Sequence, residues 1–221
     1  MKAMVLAAGR GERMRPLTDH TPKPLLVAGG KPLIAWHLEA LARAGIRDVI
    51  VNLSWLGAQI RAALGDGRQF GVQLQYSEEG SAPLETGGGI FHALPLLGPA
   101  PFVVVNADTF ADFDLSSLQL SAAADASLVM VSNPPQHPQG DFVLDGERLV
   151  VGQGPTLTYS GIGIFSPALF AGCTGGTFPL RPLLKRAIAA GRLRGQHHAG
   201  LWLDIGTPER LAALRVQLGD V

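Results

Sequence analysis

A prevailing charge is missing from this chain of 221 residues: 18 lysines and arginines balance 18 aspartates and glutamates. A protein without net charge has no electrostatic footprint for non-specific nucleic-acid binding. Cysteine is nearly absent as well. Cys173 stands alone, which excludes an internal disulfide and a cysteine-built zinc site. No apolar run approaches the ~18 residues that would span a bilayer. The apolar start, MKAMVLAAG, stops at once in Gly-Arg-Gly-Glu-Arg. Charged residues are scarce too, at 16%, against 47% hydrophobic residues, so disorder is excluded and a sizeable core is expected. These absences together predict a cytoplasmic, unexported protein with no membrane or nucleic-acid partner, as a monomer or small homo-oligomer.

Apolar patterning supplies the fold class. Strands are expected at 3–8, 48–53, 72–76 and 101–105. Helices are expected at 32–44, 56–64 and 88–94, the last opening after three glycines. Strict alternation of this kind predicts an α/β protein, a Rossmann-like, mostly parallel sheet with helices on both faces. The pattern then loosens. Short strands are expected at 128–131, 142–144, 148–151, 157–165 and 201–205, with Asp145-Gly146 as a hairpin turn. Helices are expected at 180–190 and 208–217. Without repeats or a linker, residues 1–221 read as one domain. Residues 1–110 would form its nucleotide half, and 111–221 its acceptor half.

Chemistry concentrates after the first strand, in LAAGRGERMRPLT (6–18) and TPKPLL (21–26). Glycines there let backbone N–H groups approach phosphate oxygens. Two familiar phosphate loops do not fit. Gly9-x-Gly11 is followed by Met14 where a dinucleotide fingerprint needs a third glycine. A G-K-[ST] ending is also absent. Instead, Arg13 offers a planar fork suited to phosphate. Lys23 offers a point charge, framed by Pro22 and Pro24, which stiffen its backbone. Further along, Asp108 closes an apolar strand at the end where α/β proteins bind ligands.

LAAGRGERMRPLT with TPKPLL resembles the signature of the sugar-1-phosphate nucleotidyltransferases, and the resemblance runs over essentially the whole chain. It implies the nucleotide-diphospho-sugar transferase fold and a nucleoside triphosphate held by Ala8, Gly9, Gly11, Glu12, Arg13 and Lys23, with Arg13 and Lys23 catalytic. LETGGG (84–89) resembles the family's turn around the nucleobase and ribose. It implies roles for Glu85 and Thr86, and for the backbone of Gly80 just upstream. Its form is most similar to uridylyltransferases acting on N-acetylmuramate 1-phosphate in cell-wall sugar recycling, which implies UTP as donor. Asn106-Ala107-Asp108 departs from the family's usual central glycine, so the turn there is in question. WLDIGTP (202–208) resembles the segment carrying a second carboxylate. Asp108 and Asp204 would then hold Mg²⁺, and Thr207 would cap the closing helix.

On the acceptor side the resemblance implies Asn106, Gly140 and Tyr159 as sugar-phosphate contacts. Tyr159 stands where the family has asparagine. Residues 150–154 lack the lysine that many relatives carry, so any further cation on the acceptor must come from elsewhere. Asp112 and Asp114 read as solvated loop acids, Asp114 with a capping role. His197 and His198 read as pointing apart. The implied reaction is in-line attack of a sugar 1-phosphate on the α-phosphate, with pyrophosphate leaving. Glucose, mannose or heptose 1-phosphate, with UTP, GTP or dTTP, are the alternatives within the class. Outside it stand a non-catalytic nucleotide-sugar-binding module and a nicotinamide-dependent oxidoreductase.

Overall fold

The computed structural model describes residues 1–220. The chain begins with β1 (Lys2–Leu6), then runs through the glycine-rich segment into a small hairpin, β2 (Val27–Ala28) and β3 (Lys31–Pro32). There follow α1 (Leu33–Arg43), β4 (Asp48–Leu53), α2 (Gly57–Leu64), β5 (Gln73–Glu78), α3 (Glu85–Leu97) and β6 (Phe102–Asn106). The later part comprises β7 (Thr109–Ala111), β8 (Ala126–Val131), β9 (Phe142–Asp145), β10 (Arg148–Val150) and β11 (Thr156–Phe165). It ends with α4 (Arg181–Ala189), β12 (Leu193–His198), β13 (Trp202–Asp204) and α5 (Pro208–Gln217).

Nine strands form one sheet in the order β5-β4-β1-β6-β11-β8-β12-β10-β9. The first four neighbours pair in parallel. β11 lies reversed between β6 and β8, and β12 returns parallel to β8. Strands β1, β4, β5, β6, β8 and β12 therefore share one direction, with β11 reversed among them. Chain order turns back at β1: β4 and β5 extend one way and β6 the other. Ligands of open α/β sheets bind at the carboxyl ends of the strands at such a reversal.

Burial on both faces explains the continuous apolar strands. In β1, Ala3 and Val5 face one core cluster and Met4 the other. In β6, Val103 and Val105 face the first, and Phe102 and Val104 the second. Alternation with period two makes each face a wall. Helix α1 covers the first face through Ile34, Leu38 and Leu41. Helices α3 and α4 cover the other through Ile90, Ala93, Leu97, Leu183, Leu184 and Ala187. A third cluster joins Leu211 and Leu214 of α5 to Met14, Leu26 and Leu33. The closing helix thus anchors the segment carrying Arg13 and Lys23.

Besides the short strands β2, β3 and β7, which no pattern announced, three elements depart from expectation. Helix α3 opens at Glu85, so Gly87, Gly88 and Gly89 lie inside its first turns, all buried, and not ahead of it. The strand expected at 201–205 is confined to Trp202–Asp204, paired with β7 outside the main sheet. Strand β12 is central to the sheet although its LRGQHH sequence lacks an apolar pattern. Its place comes from parallel pairing with β8, a tertiary override of local preference.

Candidate active site

Two clefts adjoin at the carboxyl ends of β1 and β6. The larger, of about 530 Å³, is lined by residues 6–13 together with Lys23, Asn52, Glu79, Glu85, Thr86, Asn106 and Asp108. The smaller, of about 220 Å³, is lined from the other side by Tyr159, Gly161, Trp202 and Asp204 among others. Asn106 and Asp108 belong to both walls. The junction therefore lies where β6 ends.

The glycine-rich segment is fixed from behind. Gly11 sits at φ +63°, a conformation that glycine adopts without steric cost. A Cβ there would come within 2.9 Å of Thr18 Cγ2 and 3.2 Å of Lys23 Cβ. Thr18 Oγ1 donates to the Gly11 carbonyl at 2.8 Å, and Met14 is wholly buried. Gly9 keeps an open face, with nothing near its missing Cβ. Arg13 and Arg10 are exposed in the cleft wall, and the Arg10 guanidinium lies 5.5 Å from the centroid of the Trp55 ring.

Lys23 heads a short 3-10 turn with Pro24 inside it and Pro22 before it. Its side chain is only 8% exposed, and Nζ donates to Asp108 Oδ2 at 2.7 Å. A buried ammonium needs such a partner. Asp108 itself is 40% exposed, so one edge remains open to the clefts. Ala107 is absent from the positive-φ residues and is buried, with its N–H donating to the Leu6 carbonyl at 3.0 Å. The turn needs no glycine, which resolves the departure noted in the sequence.

Asp204 reaches the same place through β13. It stands opposite Thr109 in the β13–β7 register, and the Ile205 N–H donates to the Asp108 carbonyl at 2.8 Å. Its carboxylate pairs with Arg210 of α5. Thr207 caps that helix, accepting from the Arg210 N–H at 3.4 Å. Among the described residues no group of three or more His, Cys, Asp or Glu could hold a metal ion. Two neighbouring carboxylates suit a hard divalent cation whose remaining ligands are water and substrate oxygens.

Behind Asp108 lies His37 of α1. Its Nε2 donates to the Thr109 carbonyl at 2.7 Å. Burial pulls its pKa down to about 4, against the opposing pull of that bond and of Asp108, so the imidazole is neutral at pH 7.

Asn52 and Glu79 were invisible as site residues in the sequence. Asn52 Oδ1 accepts from the Ala7 N–H at 2.7 Å, and its Nδ2 donates to Glu79 Oε1 at 2.6 Å. Glu79 Oε2 accepts from the Leu84 N–H at 2.7 Å. This chain ties the ends of β1, β4 and β5 to the start of α3. A polar residue, Asn52, set between the apolar Val51 and Leu53 of β4 was the one local signal. Glu85 follows at φ +59°, a conformation costing a non-glycine residue on the order of 1 kcal/mol.

On the second cleft, β11 bulges between Tyr159 and Gly163. Gly161 lies in the bulge at φ +85°, where a Cβ would sit 2.8 Å from Asn106 Cγ. Trp202 Nε1 donates to the Ser160 carbonyl at 2.9 Å, locking β13 to the bulge. Burial pushes the Tyr159 phenol up, so it stays protonated. Gly80 and Gly140 line neither cleft. Gly80 accepts from Ser54 Oγ through its carbonyl at 3.1 Å. Gly140 packs on Asn133 and Thr156. Asp114 caps the 3-10 turn at Leu115–Ser117. Asp112 pairs with His198 at 2.7 Å, whereas His197 lies near Ser132, so the two histidines do point apart.

A reversal-point cleft walled by a glycine-rich loop, cations and paired carboxylates defines a nucleotide-handling α/β protein. The chain belongs to the Nucleotidyl transferase family, whose pattern it matches over residues 2–143, and it is a sugar-1-phosphate nucleotidyltransferase. It is 50% identical, over 99% of both chains, to the N-acetylmuramate alpha-1-phosphate uridylyltransferase of Neisseria meningitidis serogroup B. The protein of that name in Caulobacter vibrioides is 36% identical over 99% of this chain and 97% of its own. The crystal structure of a Bacillus anthracis protein, described as a glucose-1-phosphate thymidylyltransferase in complex with sucrose, superposes with a TM-score of 0.86. It covers 100% of this chain and 96% of that one at 20% identity, which is a likeness of fold. No helix among the described residues is long and apolar enough to cross a membrane.

Proposed function

We propose that the chain transfers the uridylyl group of UTP to N-acetylmuramate 1-phosphate, giving UDP-N-acetylmuramate and pyrophosphate, within cell-wall sugar recycling in the cytoplasm. The near-full-length identity of 50% to the Neisseria enzyme carries this reading. The adjoining clefts suit two substrates meeting at Asn106 and Asp108.

Backbone N–H groups at Ala8, Gly9, Gly11 and Glu12 receive the triphosphate, and Arg13 neutralises the β- and γ-phosphates as they become pyrophosphate. Glu85 and Thr86, in the wall of the larger cleft, form the base and ribose side. Asn106 and Tyr159, in the wall of the smaller cleft, serve the acceptor. Asp108 and Asp204 would hold Mg²⁺, which supplies Lewis-acid neutralisation of the α-phosphate. Lys23 shields the repulsion between the incoming phosphate and the triphosphate. An acceptor phosphate oxygen attacks the α-phosphorus while the bond from that phosphorus to the bridging oxygen breaks. The attacking phosphate is already ionised, so no general base is needed. Positioning and charge neutralisation are the catalytic terms.

The test is a matrix of UTP, GTP, CTP and dTTP against N-acetylmuramate, N-acetylglucosamine, glucose and mannose 1-phosphates, read by pyrophosphate release. UTP with N-acetylmuramate 1-phosphate is expected to be the best pair. A preference for GTP or for an uncharged sugar overturns the substrate assignment. Nucleotide-sugar binding with no pyrophosphate release overturns the enzyme reading.

A further inference from the structure

The loop between β8 and β9 carries a polar cluster that the reaction described above does not use. Two turns fix its backbone: the His137 N–H donates to the Pro134 carbonyl at 2.9 Å, and the Gly140 N–H to the His137 carbonyl at 3.1 Å. Asn133 braces it against β11, donating to Thr156 Oγ1 at 3.1 Å and accepting from Thr158 Oγ1 at 2.9 Å. His137 is thereby held in the wall of the smaller cleft, beside Gln136. Its Nε2 lies 3.3 Å from Asp141 Oδ1, and Arg181, the first residue of α4, reaches the same oxygen at 3.9 Å. Asp141 Oδ2 accepts from the Tyr159 N–H at 3.0 Å.

We infer that His137, oriented by Asp141 and backed by Arg181, recognises a carboxylate on the acceptor sugar. This rests on the proposed reading of the acceptor. One carboxylate, Asp141, faces both the Arg181 guanidinium and the His137 ring, so its charge is already countered and the free side of the ring is left to meet a second anion. The other acids of the cleft are already countered, Asp108 by Lys23 and Asp204 by Arg210. The 1-phosphate has to lie at the junction beside Asp108, where Lys23 serves it. His137 lines only the outer cleft, so the anion it meets is a second one. N-acetylmuramate carries such a group, a lactyl ether ending in a carboxylate at C3. N-acetylglucosamine has a hydroxyl there and is otherwise the same. A carboxylate accepting from His137 Nδ1–H leaves Nε2 facing Asp141.

The experiment compares kcat/KM for N-acetylmuramate 1-phosphate and N-acetylglucosamine 1-phosphate in the wild type, His137→Gln and Arg181→Gln. Both variants lie on exposed or half-exposed positions, and an unshifted KM for UTP checks that each is folded. The wild-type preference for the carboxylate-bearing acceptor is expected to fall on the order of tenfold or more in His137→Gln, and less in Arg181→Gln. Equal losses on both acceptors would assign the cluster to the 1-phosphate and overturn the inference. A wild-type preference retained in both variants also overturns it, while the substrate reading stands. A wild type that ignores N-acetylmuramate 1-phosphate overturns both.

Discussion

At the scale of residues, the junction of the two clefts is a balance of charge. Lys23 is buried against Asp108, and Asp204 against Arg210. Each pairing fixes the direction of a carboxylate in the cleft wall. Lys23 also lines the larger cleft, where a phosphate would compete for it. Removing one partner of such a pair strips out a key electrostatic group and leaves the other uncompensated. Asp108→Asn and Lys23→Ala are each expected to lower turnover by at least ~100-fold, measured as pyrophosphate release under saturating substrates. Near-normal turnover in either variant would sink the assignment of this junction as the reaction centre. The two positions were legible in the sequence because each stood in a recognisable frame, Lys23 between prolines and Asp108 after an apolar strand. Asn52 and Glu79 were not. Their partners lie 45 and 27 residues away, and no local pattern marks a hydrogen bond of that span.

At the scale of elements, α3 shows packing overriding propensity. Three glycines in its opening turns would weaken an isolated helix by about 1 kcal/mol each relative to alanine. Here they allow close docking. A Cβ on Gly88 would overlap the Gly176 carbonyl, and one on Gly87 would come within 2.8 Å of the Phe178 carbonyl. The Gly88 N–H also donates to Phe178 O at 3.0 Å. Propensity alone predicts that Gly88→Ala stabilises the protein. Docking predicts the reverse, a loss of about 1–3 kcal/mol through overpacking, which corresponds to roughly 3–10 °C in Tm. Thermal unfolding of the single variant decides the sign. The sequence alone marked a glycine turn ahead of a helix, and only the partner segment at 176–178 shows why the glycines lie within it.

At the scale of the whole molecule, His37 links the site to global stability. Buried in α1 against the Thr109 carbonyl, it has a folded pKa of about 4 against 6.5 in the open chain. The folded state therefore binds fewer protons between those values, and stability falls as pH falls from about 6.5 toward 4. The full shift corresponds to about 3 kcal/mol. Chemical denaturation of the wild type from pH 7 to pH 4.5 is expected to show this decline. His37→Gln, which keeps a donor but cannot charge, is expected to flatten it. An unchanged slope in the variant would assign the decline to other groups.

The sequence by itself determined the α/β alternation of the first half, and it marked the glycine-rich loop with its cations and the two carboxylates as candidate site residues. Those features are encoded locally, in periodicity and in short motifs whose chemistry is tied to their spacing. The tertiary structure decided the rest. It reversed β11 within the sheet and made a central strand of the polar LRGQHH segment. It turned Asp108 and Asp204, nearly a hundred residues apart, into neighbours through the β13–β7 pairing. It also gathered His137, Asp141 and Arg181 at one lip of the smaller cleft. Contacts of this kind depend on which surfaces are buried together, and burial is a property of the folded chain that no window of its sequence contains.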